Sequence, residues 1–297
     1  MPTLYTHRSS NITKTFVLMF AFIVLLGAIG AVFSAYFETS VIFYGVLAFS
    51  VLATFFSYWF SDKVVIALAG AKPIKKEDDA VLWRMVENLA ITAGLPMPRV
   101  YVVDDPAPNA FATGRDPKHS VVAVTTGLRR ILDESELEGV LAHELSHIGN
   151  RDMLVATIAA VLAGIIVTIV HVFVRMTLWG GFGRSRRGSA GAIALVGLVA
   201  ALILGPLAAT LLRLAISRSR EFLADASGAL LTRYPDGLAR ALEKIGEAKI
   251  PMRHKSDAIA HLWLSDPQVE ERKTSWFAKM FMTHPPMEER IRALRQQ

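Results

Sequence analysis

The chain has 297 residues, of which 53% are hydrophobic and only 20% are charged. A mean hydropathy of +0.39 is too high for an ordinary soluble domain, so the composition favours a membrane protein. The net charge of +6 comes from Lys and Arg residues that flank apolar stretches, and no basic stripe with interleaved aromatics argues for a nucleic-acid partner. The absence of cysteine excludes disulfides and thiolate metal ligands.

Four stretches without Asp, Glu, Lys or Arg are long enough to cross a bilayer as helices. They form two pairs, residues 15–37 with 39–61 and residues 153–174 with 188–212. The first stretch is too long for the apolar part of a cleaved signal peptide, so we interpret it as a permanent anchor. Burial in a large protein core is the alternative, and it remains open mainly for the second pair, which contains His171 and Pro206.

Basic residues beside the first pair predict its orientation. They precede the first stretch and follow the second, as His7, Arg8, Lys14, Lys63, Lys72, Lys75 and Lys76. The positive-inside rule therefore places the N-terminus and residues 62–152 in the cytoplasm. Four arginines between the third and fourth stretches disagree with this pattern, so either the rule fails locally or the second pair does not fully span.

Outside the apolar stretches, the sequence predicts a mostly helical domain with a small sheet. Apolar residues at helical spacing predict a helix over 77–93, which Gly94-Leu-Pro96 ends. Asp133 and Glu136 have the spacing of a capping box and predict a helix over about 134–150. The other predicted elements are strands at 99–103 and 121–125 and helices at 218–232, from Pro235, and from Pro285-Pro286 to the end.

The helix predicted over 134–150 contains the sequence His143-Glu-Leu-Ser-His147. Two histidines four residues apart lie on one face of a helix, where both imidazoles can bind the same ion with Glu144 beside a bound water. Chance gives such a pentapeptide in roughly one of a hundred chains of this composition. The alternative, two surface histidines on an ordinary helix, is therefore disfavoured.

A catalytic zinc needs a third protein ligand and an open position for water. The segment Glu221-Phe-Leu-Ala-Asp225 follows the fourth apolar stretch and places two carboxylates one helical turn apart. We predict that Glu221 binds the metal and that Asp225 accepts an N–H from a ligand histidine. Alone, the two acids would be an ordinary solvated helix face. Because His147 precedes the third stretch and Glu221 follows the fourth, both ends of that pair must emerge on the same side.

Four motifs occur together in this chain. They read Asn-Ala-Phe-Ala-Thr-Gly at 109–114, His-Glu-Leu-Ser-His-Ile-Gly-Asn-Arg-Asp at 143–152, Ser-Arg-Glu-Phe-Leu-Ala-Asp at 219–225 and Thr-His-Pro-Pro at 283–286. In this combination the chain resembles the HtpX family of bacterial membrane zinc proteases over nearly its whole length.

The resemblance implies a mainly α membrane protein with four hydrophobic helices and a cytoplasmic, helical, gluzincin-type metalloprotease domain with a small β-sheet. A membrane hairpin at 1–62 comes first. A second hairpin at 153–212 then divides the protease domain into residues 63–152 and 213–297.

The resemblance also implies roles at the metal site. One Zn²⁺ per chain is held by His143, His147 and Glu221, with Glu144 as general base and Asp225 as the partner of a ligand histidine.

Two further positions are implied at the substrate. His284 stabilises the developing oxyanion. Asn109, Ala110 and Phe111 belong to an edge strand with which an extended substrate pairs. Read without the resemblance, His284 is a helix-capping or turn residue and residues 104–109 form an ordinary turn.

The implied function is an endopeptidase of the bacterial inner membrane, multi-pass and facing the cytoplasm, that degrades damaged or misfolded membrane proteins as part of the stress response. Its partners are protein or peptide substrates and membrane lipid. One alternative is a membrane scaffold or zinc sensor with a vestigial motif, which would show a substituted base, ligand or oxyanion donor. The other is a processing protease such as the prenylated-protein endopeptidases, which have more membrane helices.

Overall fold

The structure, a computed structural model, describes residues 4–178, 218–253, 256, 259–265 and 285–296. These residues are mainly helical and contain one small mixed sheet, as the sequence predicts. The fourth apolar stretch, at 188–212, and His284 lie outside the described residues.

Three described helices are long and apolar enough to cross a membrane. They are α1 (Leu4–Tyr36), α2 (Ser40–Ala69) and α6 (Asp152–Leu178). Helix α1 begins at Leu4, well before the apolar stretch that starts at residue 15. The polar turns before that stretch are also helical and contain the buried Asn11.

The three long helices pack against one another through apolar side chains. Buried residues of α1 and α6 share a cluster that includes Leu18, Phe22, Ile158 and Leu162. Large apolar side chains on other faces, such as Phe20 of α1, remain exposed. An exposed apolar surface of this kind is expected where helices face lipid.

The sheet has four strands in the order β1-β2-β4-β3. They are β1 (Lys72–Pro73), β2 (Arg99–Val103), β3 (Ala110–Gly114) and β4 (Ser120–Thr125). The pair β2–β4 is parallel, whereas β1–β2 and β3–β4 are antiparallel. The two strands predicted from β-type runs are confirmed, and the segment after Asn109 is a strand at the edge of the sheet.

Six further helices complete the described domain. They are α3 (Ala80–Thr92), α4 (Thr126–Ile131), α5 (Glu134–Gly149), α7 (Arg218–Thr232), α8 (Pro235–Glu247) and α9 (Met287–Leu294). Helix α5 begins with the predicted capping box, in which the Asp133 side chain accepts from the Glu136 N–H and the Glu136 side chain accepts from the Asp133 N–H.

Helix α5 lies at the centre of the domain and packs against α3, α7, α8 and the sheet. Its residues Leu137, Leu141, Leu145 and Ile148 are buried in the main apolar cluster. The contact with α7 is close at Gly228, where an added Cβ would lie 2.9 Å from the backbone nitrogen of His143. The two helices that carry the candidate metal ligands are therefore held together at backbone distance.

Candidate metal centre

The structure brings together the three predicted metal ligands. His143 and His147 lie one turn apart on α5, with their Nε2 atoms 3.1 Å apart. Helix α7 places the Glu221 carboxylate 3.9 Å from Nε2 of His143 and 3.6 Å from Nε2 of His147. One donor atom from each residue lies within 4.8 Å of the other two.

The donor set and its spacing fit zinc. Donor atoms about 2.0–2.2 Å from a tetrahedral zinc lie roughly 3.3 Å from one another, and two imidazole nitrogens with one carboxylate leave a fourth position for water. The 3.1 Å between the two Nε2 atoms agrees with this spacing. A small cavity of about 50 Å³ adjoins the three residues, which is room for an ion and its water.

A carboxylate contacts the second ring nitrogen of each histidine. Nδ1 of His143 lies 2.9 Å from Asp225, and Nδ1 of His147 lies 3.2 Å from Asp152. Such contacts fix the ring orientation and leave Nε2 of each imidazole directed at the metal position. The sequence predicts the Asp225 contact. It does not single out Asp152, which is the last residue of the motif at 143–152.

Arg290 is a further part of this site that the sequence analysis misses. Its guanidinium is fully buried and contacts both oxygens of Asp225, at 2.8 and 2.7 Å. The sequence does contain a signal, since Arg290 lies on the same face of α9 as Met287 and Leu294, which pack in the core. A charged residue on the apolar face of a short helix points to a buried partner.

These contacts shift the pKa values of the two histidines in opposite directions. Burial lowers the pKa of His143 to about 4, and the positive charge of Arg290 acts in the same direction against the bond to Asp225. Burial would also lower the pKa of His147, but the bond to Asp152 and the charge of Glu221 raise it to about 9. Burial alone would raise the pKa of Asp225, yet Arg290 holds it at about 2.

Glu144 lies in the same cavity as the ligand set. Its side chain is buried, and it lines the space together with Ala112 of β3, Arg220 and His261. The predicted base and the three predicted ligands therefore share one small cavity. His284, the predicted oxyanion donor, lies outside the described residues.

The segment 259–265 covers the beginning of β3. The Leu264 N–H donates to the Ala110 carbonyl at 2.9 Å, and the Ser265 N–H donates to the Asn109 side chain at 3.0 Å. The Asn109 amide in turn donates to the Ser265 carbonyl at 2.8 Å. The Phe111 ring meets the Trp263 ring edge-on at 4.8 Å between centroids. All three predicted substrate-binding residues thus contact this segment.

Ala112 is the residue of β3 that faces the metal cavity. The Thr125 N–H donates to the Asn109 carbonyl, and the Asn109 N–H donates to the Thr125 hydroxyl, both at 2.9 Å. In the antiparallel ladder that follows, the backbone groups of Ala110 and Ala112 therefore point away from β4. Ala112 also lines the cavity. The sequence analysis does not name this residue, although it lies within the quoted motif at 109–114.

Known proteins resemble this chain over most of its length. The sequence model of peptidase family M48 matches residues 76–297 of this chain. The chain is 45% identical over 293 residues to a protease HtpX homolog of Tropheryma whipplei strain Twist, covering 99% of this chain and 98% of that protein. It is 46% identical over 299 residues to a protease HtpX homolog of Thermoanaerobacter pseudethanolicus, covering 99% and 97%.

A solved structure shares the fold. The crystal structure of S. mikatae Ste24p superimposes with a TM-score of 0.53 at 18% identity, covering 98% of this chain and 67% of that one. The two-histidine, one-glutamate cluster beside membrane-length helices and the similarity to the HtpX homologs lead to one assignment. The chain is a membrane metalloprotease that belongs to peptidase family M48 and, within it, to the HtpX family.

Proposed function

We propose that this metalloprotease is a zinc-dependent endopeptidase that cleaves damaged or misfolded membrane proteins at the cytoplasmic face of the inner membrane. The observation that carries the proposal is the position of the metal site at the end of a membrane-length helix. Helix α6 begins at Asp152, and that carboxylate contacts the ring of His147. A substrate leaving the bilayer at this end therefore emerges beside the candidate ligands.

His143, His147 and Glu221 would hold one zinc ion, which when bound supplies a Lewis acid for the scissile carbonyl and lowers the pKa of its water. Glu144 accepts the proton of the attacking water and delivers it to the leaving amine. Asp225 keeps the His143 ring in the orientation that directs Nε2 at the metal position. His284 donates to the developing oxyanion.

In this proposal, an extended substrate pairs as an additional strand with the edge of β3. Asn109, Ala110 and Phe111 lie at the beginning of that edge. The edge position of β3 and the outward backbone groups of Ala112 support this pairing, whereas the Ala110 carbonyl already accepts from Leu264. Ala112 brings the paired chain to the metal cavity that it lines. Backbone pairing is independent of sequence, which suits an enzyme whose substrates share only a damaged state.

The topology in the proposal follows the charges beside the long helices. Residues 1–62 and 153–212 form membrane hairpins, and residues 63–152 and 213–297 combine into the cytoplasmic protease domain. Among the described residues, three helices have the length and composition for this, and the stretch at 188–212 lies outside those residues. The contacts between α5 and α7 support a domain assembled from both parts, since Glu221 reaches the two histidines across that interface.

The test is cleavage of an unstructured reporter such as casein by the full chain in detergent, with and without added zinc. Replacing Glu144 with Gln keeps the shape of the side chain and removes the base. We expect Glu144→Gln to bind one zinc per chain as the unaltered protein does and to lose about 10²- to 10⁴-fold in rate. Zinc binding with no cleavage by either protein would instead favour the scaffold or sensor.

The substrate class needs its own comparison. A membrane protein reporter is presented in its folded form and in a destabilised variant, both in the same lipid vesicles as the protease. Preferential cleavage of the destabilised form is expected. Equal cleavage of both at one defined peptide bond would support the processing protease.

A further inference from the structure

We propose that the basic and aromatic cavity between the end of α2 and the turn after β3 binds the phosphate headgroup of an anionic phospholipid. The cavity measures about 580 Å³, within the range of small-ligand sites. Its lining consists of Phe55, Trp59, Phe60, Asp62, Lys63, Arg99, Arg115, Lys118 and His119. None of these residues lines the metal cavity, so the site is separate from the peptidase chemistry.

The lining has an excess of positive charge. Four cationic side chains face one carboxylate, Asp62, which already pairs with Arg99 at 2.6 Å. Asp116, beside the cavity, contacts His119 at 2.9 Å and Arg115 at 3.5 Å and offsets part of the remainder. Lys63 and Lys118 are exposed at the rim. A phosphate anion is the ligand that complements this set of donors.

Aromatic rings form the other wall of the cavity. The Arg115 guanidinium lies 4.7 Å from the centre of the Trp59 ring, and the Lys63 ammonium lies 5.0 Å from that of Phe60. These contacts hold the two cations against the helix while Trp59 and Phe55 stay 43% and 54% exposed. Rings that are open to the lipid side suit an acyl chain, whereas a free phosphate would not contact them.

The cavity lies at the level where a membrane surface is expected. The Phe16 ring, at the start of the apolar part of α1, stacks near Tyr58 of α2, with centroids 6.2 Å apart. Residues 58–63 are therefore at the membrane surface through which α1 enters the bilayer. Tryptophan with lysine and arginine at this depth is typical of the interface between headgroups and hydrocarbon. The position and the charge together favour a lipid headgroup.

A lipid bound here would also position the substrate strand. Arg115 follows Gly114, the last residue of β3, and lies three residues beyond Ala112. Its carbonyl accepts from Arg151, next to the start of α6. The headgroup would thus fix the turn after β3 at the membrane surface, about 10 Å along the strand from the metal cavity.

The experiment measures lipid binding to the full chain in detergent by native mass spectrometry, with phosphatidylglycerol and phosphatidylcholine as probes. We expect one phosphatidylglycerol per chain to bind at least about tenfold more tightly than phosphatidylcholine. The double variant Lys63→Ser, Lys118→Ser should lose that preference about tenfold or more, because each lysine near the surface contributes to anionic lipid binding. Both side chains are exposed, so the fold should be retained.

The matched control removes the same charge elsewhere, as Arg130→Ser with Lys249→Ser, both exposed and outside the cavity. The control should keep the preference. An equal loss in both double variants, or no preference in the unaltered protein, would overturn the proposal. Glycerophosphoglycerol, the headgroup without acyl chains, is added at millimolar concentration as a competitor. If it bound with the same affinity as the lipid, the site would recognise the headgroup alone, and this result would also overturn the proposal. Phe55→Ala, which removes an exposed ring that holds none of the cations, should weaken lipid binding and leave any binding of the free headgroup unchanged.

Discussion

Asn11 on the first helix donates a hydrogen bond of 2.7 Å to Asp152, the carboxylate that contacts the ring of His147. The same amide donates to the carbonyl of Asn150 at 3.0 Å, and its side chain is buried. These two bonds connect the N-terminal part of α1 to the junction between α5 and α6. The first membrane helix is therefore part of the support of a candidate zinc ligand, as well as an anchor.

Replacing Asn11 with Ala should weaken zinc binding. Among the described residues, loss of the amide leaves that oxygen of Asp152 with only the longer contact to Arg220, at 3.9 Å, and loosens the orientation of His147. Partners of this kind contribute about 10- to 100-fold to metal affinity. We expect an effect of about tenfold on zinc affinity, measured by competition with a chelating dye. Ser34→Ala, which removes a hydrogen bond at the opposite end of α1, is the control and should leave zinc affinity unchanged. Unaltered affinity in Asn11→Ala would contradict the connection.

Arg290→Met should destabilise the domain. The substitution leaves Asp225 buried without its two charge-assisted bonds, and removing one partner of a buried ion pair costs about 3–5 kcal/mol. The free energy of unfolding, measured with a denaturant that leaves the detergent micelle intact, reports this loss. Arg292→Met, on the exposed face of the same helix, should change it by less than about 0.5 kcal/mol. Similar effects of the two substitutions would argue against a supporting role for Arg290.

Gly228→Ala should separate the two helices that carry the metal ligands. An added methyl group would lie 2.9 Å from the nitrogen of His143, which is backbone and cannot rotate away. We expect a lower melting temperature and weaker zinc binding. Gly246→Ala on α8 is the matched control, because nothing lies within 4 Å of its added Cβ and alanine favours a helix by up to about 1 kcal/mol. If Gly228→Ala were as stable as Gly246→Ala, the close contact would be of no consequence.

Zinc affinity should rise with pH. The contacts of His147 raise its pKa to about 9, so the metal-free protein holds a proton there that zinc must displace. His143, with a pKa near 4, is already neutral. Below pH 9 the dissociation constant for zinc should therefore fall about tenfold for each unit of pH, measured between pH 6 and 8. Asp152→Asn should flatten this dependence, because the bond to Asp152 is the largest contribution that raises the pKa of His147. A dissociation constant that does not change with pH in the unaltered protein would refute the prediction.

The parts of the site that lie close in sequence could be predicted, because helical spacing alone determines their relative positions. The sequence predicts the helix with His143, Glu144 and His147 over about 134–150, and the helix runs from Glu134 to Gly149. Helical spacing does not locate the third ligand. Glu221 is identified because a catalytic zinc needs a third protein ligand. Its distances of 3.9 and 3.6 Å from the two rings agree with that choice.

Partners that are distant in sequence could not be predicted. Asn11 and Asp152 are 141 residues apart, and no periodic pattern relates them. The apolar stretch at 15–37 likewise does not show that helix α1 begins at Leu4, since the contacts of Asn11 in the polar turns are with residues 150 and 152. Arg290 carried a signal on its own helix, but its partner Asp225 depends on how α7 and α9 pack.

The bond between Leu264 and the Ala110 carbonyl has a consequence for how a substrate is found. While that bond persists, a chain that pairs with β3 gains few backbone hydrogen bonds beside Ala112, and each contributes only about 0.5–1.5 kcal/mol. Binding from dilute solution is then weak, so a soluble reporter such as casein has to be supplied at high concentration. Binding becomes effective for chains confined to the same membrane, where the effective concentration is high. Selection of substrates would in that case depend on proximity and local unfolding, with little contribution from affinity.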